Sequence, residues 1–285
     1  MMRLAYYPGC SLHGTAKEMD SSFKATTRAL GVELVEIPGW ECCGNTAAHS
    51  ASHLLATALP ANELAKVRTD MKLDAVAVPC AACYSRFMAT VAELDEPRMR
   101  KDVEEVVGRA VATDVRVLNM VDVFYETVGV EALAAKVTKP LGGLKVAAYY
   151  GCLLTRPPKL TLAEDHEYPT RMDEVLKALG AEPVAWSYKT DCCGASLALC
   201  EQKVVRDLVR KIVSNARACG ARAIAAACPL CQVNLDSRQD DIKKADPSWQ
   251  ALPIVYLSQL VGVALRVPER ELGWKRHMVP VPALV

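Results

Sequence analysis

Ten of the chain's 12 cysteines form one pattern written twice: a single cysteine, an adjacent pair followed by glycine, and a Cys-x-x-Cys. The first copy is Cys10, Cys42, Cys43 with Gly44, then Cys80 and Cys83; the second is Cys152, Cys192, Cys193 with Gly194, then Cys228 and Cys231. Each member recurs 142 to 150 residues later, in the same order. A Cys-x-x-Cys lets two thiolates from one turn reach the same metal site. Adjacent cysteines diverge in extended backbone, which suits a single tetrahedral ion poorly and an assembly of several irons well. Gly44 and Gly194 allow a close backbone approach or a positive φ just after the pair. Tetrahedral zinc takes four ligands and leaves a fifth thiolate without a role. Two sets of five cannot be fully paired as internal disulfides. Iron–sulfur clusters accept irregular spacing because their ligands meet in space. The ferredoxin run of closely spaced Cys-x-x-Cys steps is absent. The spacing thus favours iron–sulfur chemistry and leaves zinc open, including zinc in one half alone, although both five-cysteine sets are equally complete.

The elements that must position these thiols also repeat. LAYYPGC matches AAYYGC, RALGVELVEIPGWECCG matches KALGAEPVAWSYKTDCCG, and DAVAVPCAAC matches RAIAAACPLC. A period of about 145 residues is too long for a solenoid unit and indicates two homologous domains. The boundary falls near Pro140-Leu141-Gly142-Gly143, which divides the chain into 1–140, 141–266 and a proline-interrupted tail, 267–285. The tail is either a frayed end or a strap for a partner. Short apolar runs at 3–7, 32–36, 74–79, 115–118, 144–150, 182–186, 222–228 and 253–256 are expected strands. Segments 17–30, 45–70, 84–94, 168–179, 195–219 and 257–266 are expected helices, several rich in alanine. Alternation of the two implies an α/β fold with two mostly parallel sheets, covered on both faces. The repeated cysteines then lie at or just past strand ends, where open α/β sheets place their ligands.

Composition narrows the function. The 285 residues carry 34 basic and 33 acidic side chains, a formal charge of +1, so no broad field attracts nucleic acid or an anionic membrane. No run of 18 apolar residues occurs, so no membrane span is expected. MMRLAYYPGC lacks the apolar core of a signal peptide. A cytoplasmic location is expected, where so many cysteines point to metal or redox chemistry.

The doubled Cys, CCG and PCxxC pattern resembles the cysteine-rich CCG-domain family, and within it the B subunits of heterodisulfide reductase. The likeness runs from Tyr6-Tyr7-Pro8-Gly9-Cys10 to about Leu265, and is closest at YYGCLLTRP, PTRMDEVLKALGAEPV, DCCGASL and CPLCQVNLDSRQ. The resemblance implies two non-cubane [4Fe-4S] clusters. Cys10, Cys42, Cys43, Cys80 and Cys83 would hold one; Cys152, Cys192, Cys193, Cys228 and Cys231 would hold the other. It implies an oxidoreductase that splits a disulfide such as that of coenzyme M and coenzyme B between the clusters, one electron from each. It also implies partners, a ferredoxin-type iron–sulfur subunit and a flavin subunit, since this chain has no dinucleotide fingerprint to receive electrons itself. Related complexes give two alternatives: a sulfur-oxidising subunit acting on carrier-bound sulfur, and an electron-transfer subunit of a glycolate-, lactate- or quinone-linked oxidoreductase.

The remaining chemistry-bearing residues are fewer. Cys200 and Cys219 have no counterpart in the first half and are expected as small core residues of a helix. His49 and His53 are spaced as a helical i, i+4 pair, with a surface or supporting role as the blander reading. His13, three residues after Cys10, is a candidate proton donor to a departing thiolate. Lys17, Arg156, Lys159 and Lys189 lie near the cysteine loops and are candidates to hold anionic substrate groups, or simply solvated charges.

Overall fold

The computed structural model describes residues 2–163 and 165–281. Its first half contains β1 (Met2–Tyr6), α1 (Gly9–His13), α2 (Lys17–Leu30), β2 (Val32–Glu36), α3 (Ala47–Ala51), α4 (His53–Ala65), β3 (Ala75–Ala77), α5 (Ala81–Glu93), α6 (Pro97–Val107), β4 (Arg116–Leu118), α7 (Met120–Asp122) and α8 (Val130–Lys136). The second half continues with β5 (Lys145–Tyr149), α9 (Pro158–Thr161), α10 (Arg171–Ala178), β6 (Glu182–Pro183), α11 (Gln202–Ala218), β7 (Ala223–Ala226), α12 (Pro229–Ala245), β8 (Ile254–Tyr256), α13 (Leu257–Ala264) and α14 (Glu269–Leu272). Single π-helical turns extend α4 at Lys66–Asp70 and join α7 to α8 at Val123–Gly129.

Each half is a four-stranded, wholly parallel sheet, ordered β2-β1-β3-β4 and β6-β5-β7-β8. The order steps outward in both directions from the first strand. The chain therefore leaves β1 and β5 at the point where the connections diverge, and ligands of such sheets bind beyond the strand ends there. Central strands are buried on both faces: Ala75-Val76-Ala77 and Ala223-Ile224-Ala225-Ala226 have no polar side chain to show to water.

All eight expected strands are present, though several are shorter. Sequence patterning did not resolve α6 or α12. In α12, Cys231, Leu235 and Ile242 are buried alongside polar Gln232, Asn234, Asp236 and Gln239. A helix that buries amides all round lacks a clear apolar stripe. The expected single helix 45–70 breaks at Ser52, whose extended backbone (φ −158°, ψ 127°) ends α3 and whose hydroxyl caps α4.

One continuous core runs through both halves. The halves meet reciprocally: α2 packs on α13, and α10 packs on α7 and the turn that follows it. Ser22 and Ser258 share a buried 2.7 Å hydrogen bond at the first of these contacts. At the second, Arg171 pairs with Asp122 (3.1 Å) and with Glu126. The tail folds back on the chain: the Gly273 backbone lies against Glu18, and His277 is inserted beside β8.

Candidate functional site

Each cysteine set is assembled from three loops at the strand ends. Cys10 sits in α1, just past the end of β1 and immediately after Gly9; Gly151 precedes Cys152 in the same way after β5. Both glycines have positive φ (64° and 67°), and a Cβ would stand 3.2 Å from Cys83 Sγ at Gly9 and 2.9 Å from Cys231 Sγ at Gly151. A Cβ would crowd the thiol at both positions, most at Gly151, on a backbone that L side chains rarely adopt. Gly44 and Gly194 also have positive φ (71° and 80°), turning the chain sharply after each adjacent pair.

The pair loops are tied down by tyrosine. Tyr7 Oη donates to the Glu41 carbonyl and Tyr149 Oη to the Asp191 carbonyl, each at 2.6 Å, one residue before the two cysteines. Burial, and then the neighbouring thiols, push both phenols up, so they remain protonated donors. The Cys-x-x-Cys motifs open helices: Cys80 and Cys228 are the N-caps of α5 and α12, and Cys83 and Cys231 lie in their first turns. Backbone N–H groups at a helix start favour thiolate.

The thiols crowd one another. Cys43 and Cys83 Sγ are 3.2 Å apart, and Cys193 and Cys231 Sγ 3.6 Å apart. Hydrogen bonding from Cys83 holds Cys80 down to about 7 and lowers Cys43, while the same contacts push Cys83 well up. In the second half, Cys152 and the Gly194 N–H hold Cys192 down to about 6, and Cys231 lowers Cys193 at its own expense. Five clustered thiolates repel; a multivalent cation assembly relieves that repulsion, which makes this donor set fit a thiolate-ligated metal cluster. Cys43, Cys80, Cys83, Cys193, Cys228 and Cys231 form buried floors, whereas Cys10, Cys42 and Cys192 are exposed and Cys152 is half-buried. Among the described residues, no three His, Cys, Asp or Glu side chains close around a single-ion position.

The two sets border the same interface. α1, carrying Cys10, packs on α12, which begins at Cys231's turn; α9, just past Cys152, packs on α5, which begins at Cys83's turn. Tyr84 Oη reaches the Thr161 carbonyl across this boundary at 3.4 Å.

The other candidates are placed differently. His13 closes α1, its ring edge-on to Trp40 and its Nε2 3.3 Å from Glu36. His49 and His53 fall on separate helices, and His53 pairs with Glu93 at 3.2 Å, so they do not form a ligand pair. Lys17 and Lys159 are exposed, while Arg156 bridges Glu167 and the Thr190 carbonyl. Lys189 is buried and spent on Asp173 (2.6 Å) and the Pro169 carbonyl. Cys200 and Cys219 are exposed, one in the turn before α11 and one at its C-cap, rather than in the core. Helix α11 turns its valine and isoleucine stripe inward, and both cysteines lie outside its span, one before it and one at its C-cap. Sequence reasoning missed the roles of Gly9, Gly151 and the Tyr7 and Tyr149 hydroxyls, although the repeated Tyr-Tyr…Gly-Cys carried the signal.

Both repeats match the cysteine-rich CCG domain, at residues 4–88 and 146–236. The chain belongs to the CCG family. It is 33% identical to the 8-methylmenaquinol:fumarate reductase membrane anchor subunit of Wolinella succinogenes, covering 98% of both chains. It is 26% identical to the B subunit of the ferredoxin/F420H2-dependent CoB-CoM heterodisulfide reductase of Methanosarcina acetivorans, over 98% of this chain and 94% of that one. In fold it is similar to a hypothetical protein from Helicobacter pylori, with TM-score 0.78 and 13% identity, over 98% of this chain and 52% of that one. A CCG chain with relatives of both kinds is a redox subunit. No described helix is long and apolar enough to cross a membrane.

Proposed function

We propose that this chain is the iron–sulfur subunit of a cytoplasmic heterodisulfide-reductase-type complex, and that it carries out disulfide–dithiol redox chemistry between its two halves. The observation that supports the reading is the duplication of one arrangement, a buried thiol contact between the Cys-Cys-Gly loop and the Cys-x-x-Cys helix start, Cys43–Cys83 at 3.2 Å in one half and Cys193–Cys231 at 3.6 Å in the other. Cys10, Cys42, Cys43, Cys80 and Cys83 would hold one [4Fe-4S] cluster of non-cubane type, and Cys152, Cys192, Cys193, Cys228 and Cys231 the other. When bound, the clusters supply one-electron transfer, and a disulfide needs two such electrons. The chain's own groups do the rest. Tyr7 and Tyr149 hold the pair loops in place, so that Cys42 and Cys192 face outward beside Cys10 and Cys152. Lys17, Arg156 and Lys159 follow Cys10 or Cys152 within seven residues in sequence and can hold the anionic groups of a disulfide such as that of coenzyme M and coenzyme B. His13, three residues after Cys10, can deliver a proton to the released thiol. Electrons would come from a ferredoxin-type partner, itself supplied by a flavin-containing one.

A second reading, favoured by the 33% identity to a quinol-linked reductase subunit, makes the chain an electron relay between a quinol and a partner. Anaerobic reconstitution followed by iron, sulfide and zinc analysis tests the cofactor content. About eight irons and eight sulfides per chain is the expected result; about four irons and one zinc would leave a single working site. A thiol-induced change in the electron paramagnetic resonance signal of the loaded chain is expected for the disulfide chemistry, and its absence would leave the relay reading.

A further inference from the structure

Alongside each helix that begins at a Cys-x-x-Cys the fold leaves a groove, and the two grooves have different contents. In the first half it opens as a cavity of about 660 Å³ along Tyr84, Met88 and Val91 of α5, one, five and eight residues after Cys83. The same positions after Cys231 are Gln232, Asp236 and Gln239 of α12, and there the chain's own tail lies in the groove. The tail arrives from the first half. Glu271 pairs with Arg28 (2.6 Å), its carbonyl accepts from the Ser21 hydroxyl (2.8 Å), and the Gly273 backbone lies against Glu18. It then crosses to α12, where the Met278 and Val279 N–H groups donate to Asp236 at 2.7 and 3.0 Å. The tail is thus a strap across both halves.

His277 anchors the strap, and the groups around its ring accept one protonation state. Nδ1 lies 3.0 Å from the Ile254 carbonyl, an acceptor, so Nδ1 carries a proton. Nε2 lies 2.9 Å from the side-chain nitrogen of Gln259. That amide is fixed in orientation: its oxygen accepts from the Tyr256 N–H (2.8 Å) and its nitrogen donates to the Leu272 carbonyl (2.7 Å). Turning it over would set N–H against N–H and oxygen against oxygen. Gln259 therefore presents a donor, and Nε2 must be the bare acceptor. A second proton on the ring would put two donors face to face in a buried place.

The first half shows the converse. At the start of α7, Asn119 and Asp122 take the places that Tyr256 and Gln259 hold at the start of α13, with the same bond from backbone N–H to side-chain oxygen. Asp122 presents an acceptor there, and its partner is the Arg171 guanidinium at 3.1 Å. A carboxylate at this corner holds a cation, whereas the Gln259 amide holds a neutral ring.

We propose that the tail is a pH-sensitive strap: neutral His277 docks it in the second-half groove, and protonation of Nε2 against the Gln259 amide releases it. The charges around the ring do not all act alike. Asp236 on α12 favours the imidazolium, as does Glu18 on α2, while Lys275 and Arg276 on the strap itself oppose it. On β8 the Tyr256 phenol is kept protonated by burial. Helix α13 has no ionisable side chain, and Glu271 of α14 is spent on Arg28. Burial outweighs Asp236 and holds the ring below the usual histidine range. The released tail therefore takes up the proton more readily than the docked one. Docking is full above about pH 6.5, the ordinary histidine value, and weakens as the pH falls below it. Release uncovers Gln232, Asp236 and Gln259 and opens the second-half groove as the first-half one is open.

The test is backbone hydrogen exchange of residues 274–281 in the anaerobically iron-loaded chain, read by mass spectrometry between pH 7.5 and 5.5 and corrected for the intrinsic exchange rate. Protection is expected to fall severalfold, up to about tenfold, as the pH is lowered over that range. The central strand β7 should keep its protection, and the iron content should hold. His277→Gln cannot titrate, so protection of its tail should not change with pH. Unchanged protection of the parent's tail would overturn the proposal, whether or not the variant folds. So would the same pH dependence in His277→Gln, or a parallel loss of protection in β7, which would mean general unfolding. The strap involves none of the ten repeated cysteines, so its failure leaves the cluster and disulfide readings standing.

Discussion

Gly9 and Gly151 occupy matching positions, and the same constraint acts on both: a left-handed backbone with a cysteine sulfur where a Cβ would go. Gly9→Ala is therefore expected to disturb Cys83, and Gly151→Ala Cys231, at a stability cost of about 1–2 kcal/mol from the backbone alone. Each variant should lose metal from its own half, halving the iron per chain, while the double variant should bind little. Tyr149→Phe leaves the Asp191 carbonyl without its donor and should cost about 1–3 kcal/mol in denaturant unfolding, with the aromatic packing retained. Lys189 separates a structural from a substrate-binding role. Burial raises the Asp173 carboxyl and Lys189 counters it, so Lys189→Met strands a buried charge and should cost about 3–5 kcal/mol. A lysine that served only substrate would alter binding and leave the unfolding midpoint in place.

At the scale of elements, the α2–α13 and α10–α7 contacts hold the halves in register. A Cβ at Gly262 would fall 2.3 Å from Leu272 and 3.4 Å from Thr26, so Gly262→Ala should push α14 off α13. Overpacking of this kind costs about 1–3 kcal/mol, and protease cleavage after residue 266 should become faster. The α7 start has a pH signature. Burial, and then Glu126, raise Asp122 from 3.8 to about 6, with Arg171 opposing. The folded state thus holds this proton more tightly than the unfolded chain does. Its stabilising contribution is full below about pH 4 and is lost as the pH rises through about 6. Asp122→Asn cannot titrate, so its stability relative to the parent should rise between pH 4 and 7, by at most about 3 kcal/mol. Parallel unfolding curves at several pH values check this; a constant difference would show that Asp122 does not titrate in that window.

For the whole molecule, duplication has produced two equivalent frames with unequal contents. The cysteine sets match closely in floor, mouth and tyrosine tie. The grooves behind them do not: among the described residues the tail fills the second-half groove and not the first-half one. Truncation before Gly273 should expose Gln232, Asp236 and Gln259 and lower the unfolding midpoint. The iron content is expected to stay near the parent's, because the tail's bonds go to glutamine, aspartate and backbone groups rather than to the thiols. Cluster content unchanged and midpoint lowered is the expected pair of measurements on the truncated chain.

Much of this was legible in the sequence. The repeat, the α/β class, the eight strands and the membership of ten cysteines in two sets follow from local order: thiol spacing, glycine after each pair, and unalternated apolar runs that only a doubly covered parallel strand tolerates. The same local order misled where burial is decided at a distance. Lys189 looks like a free cation until Asp173 arrives from α10, and Cys200 and Cys219 look like core residues until α11 turns its other face inward. Helix α12 has no apolar stripe because its partners are amides and carbonyls from β8 and the tail. The packing of α1 on α12 and of α9 on α5, and the filled and open grooves behind them, depend on α2 meeting α13 and α10 meeting α7. Those contacts join residues more than 45 positions apart, which no local pattern encodes; packing of the two halves decided them.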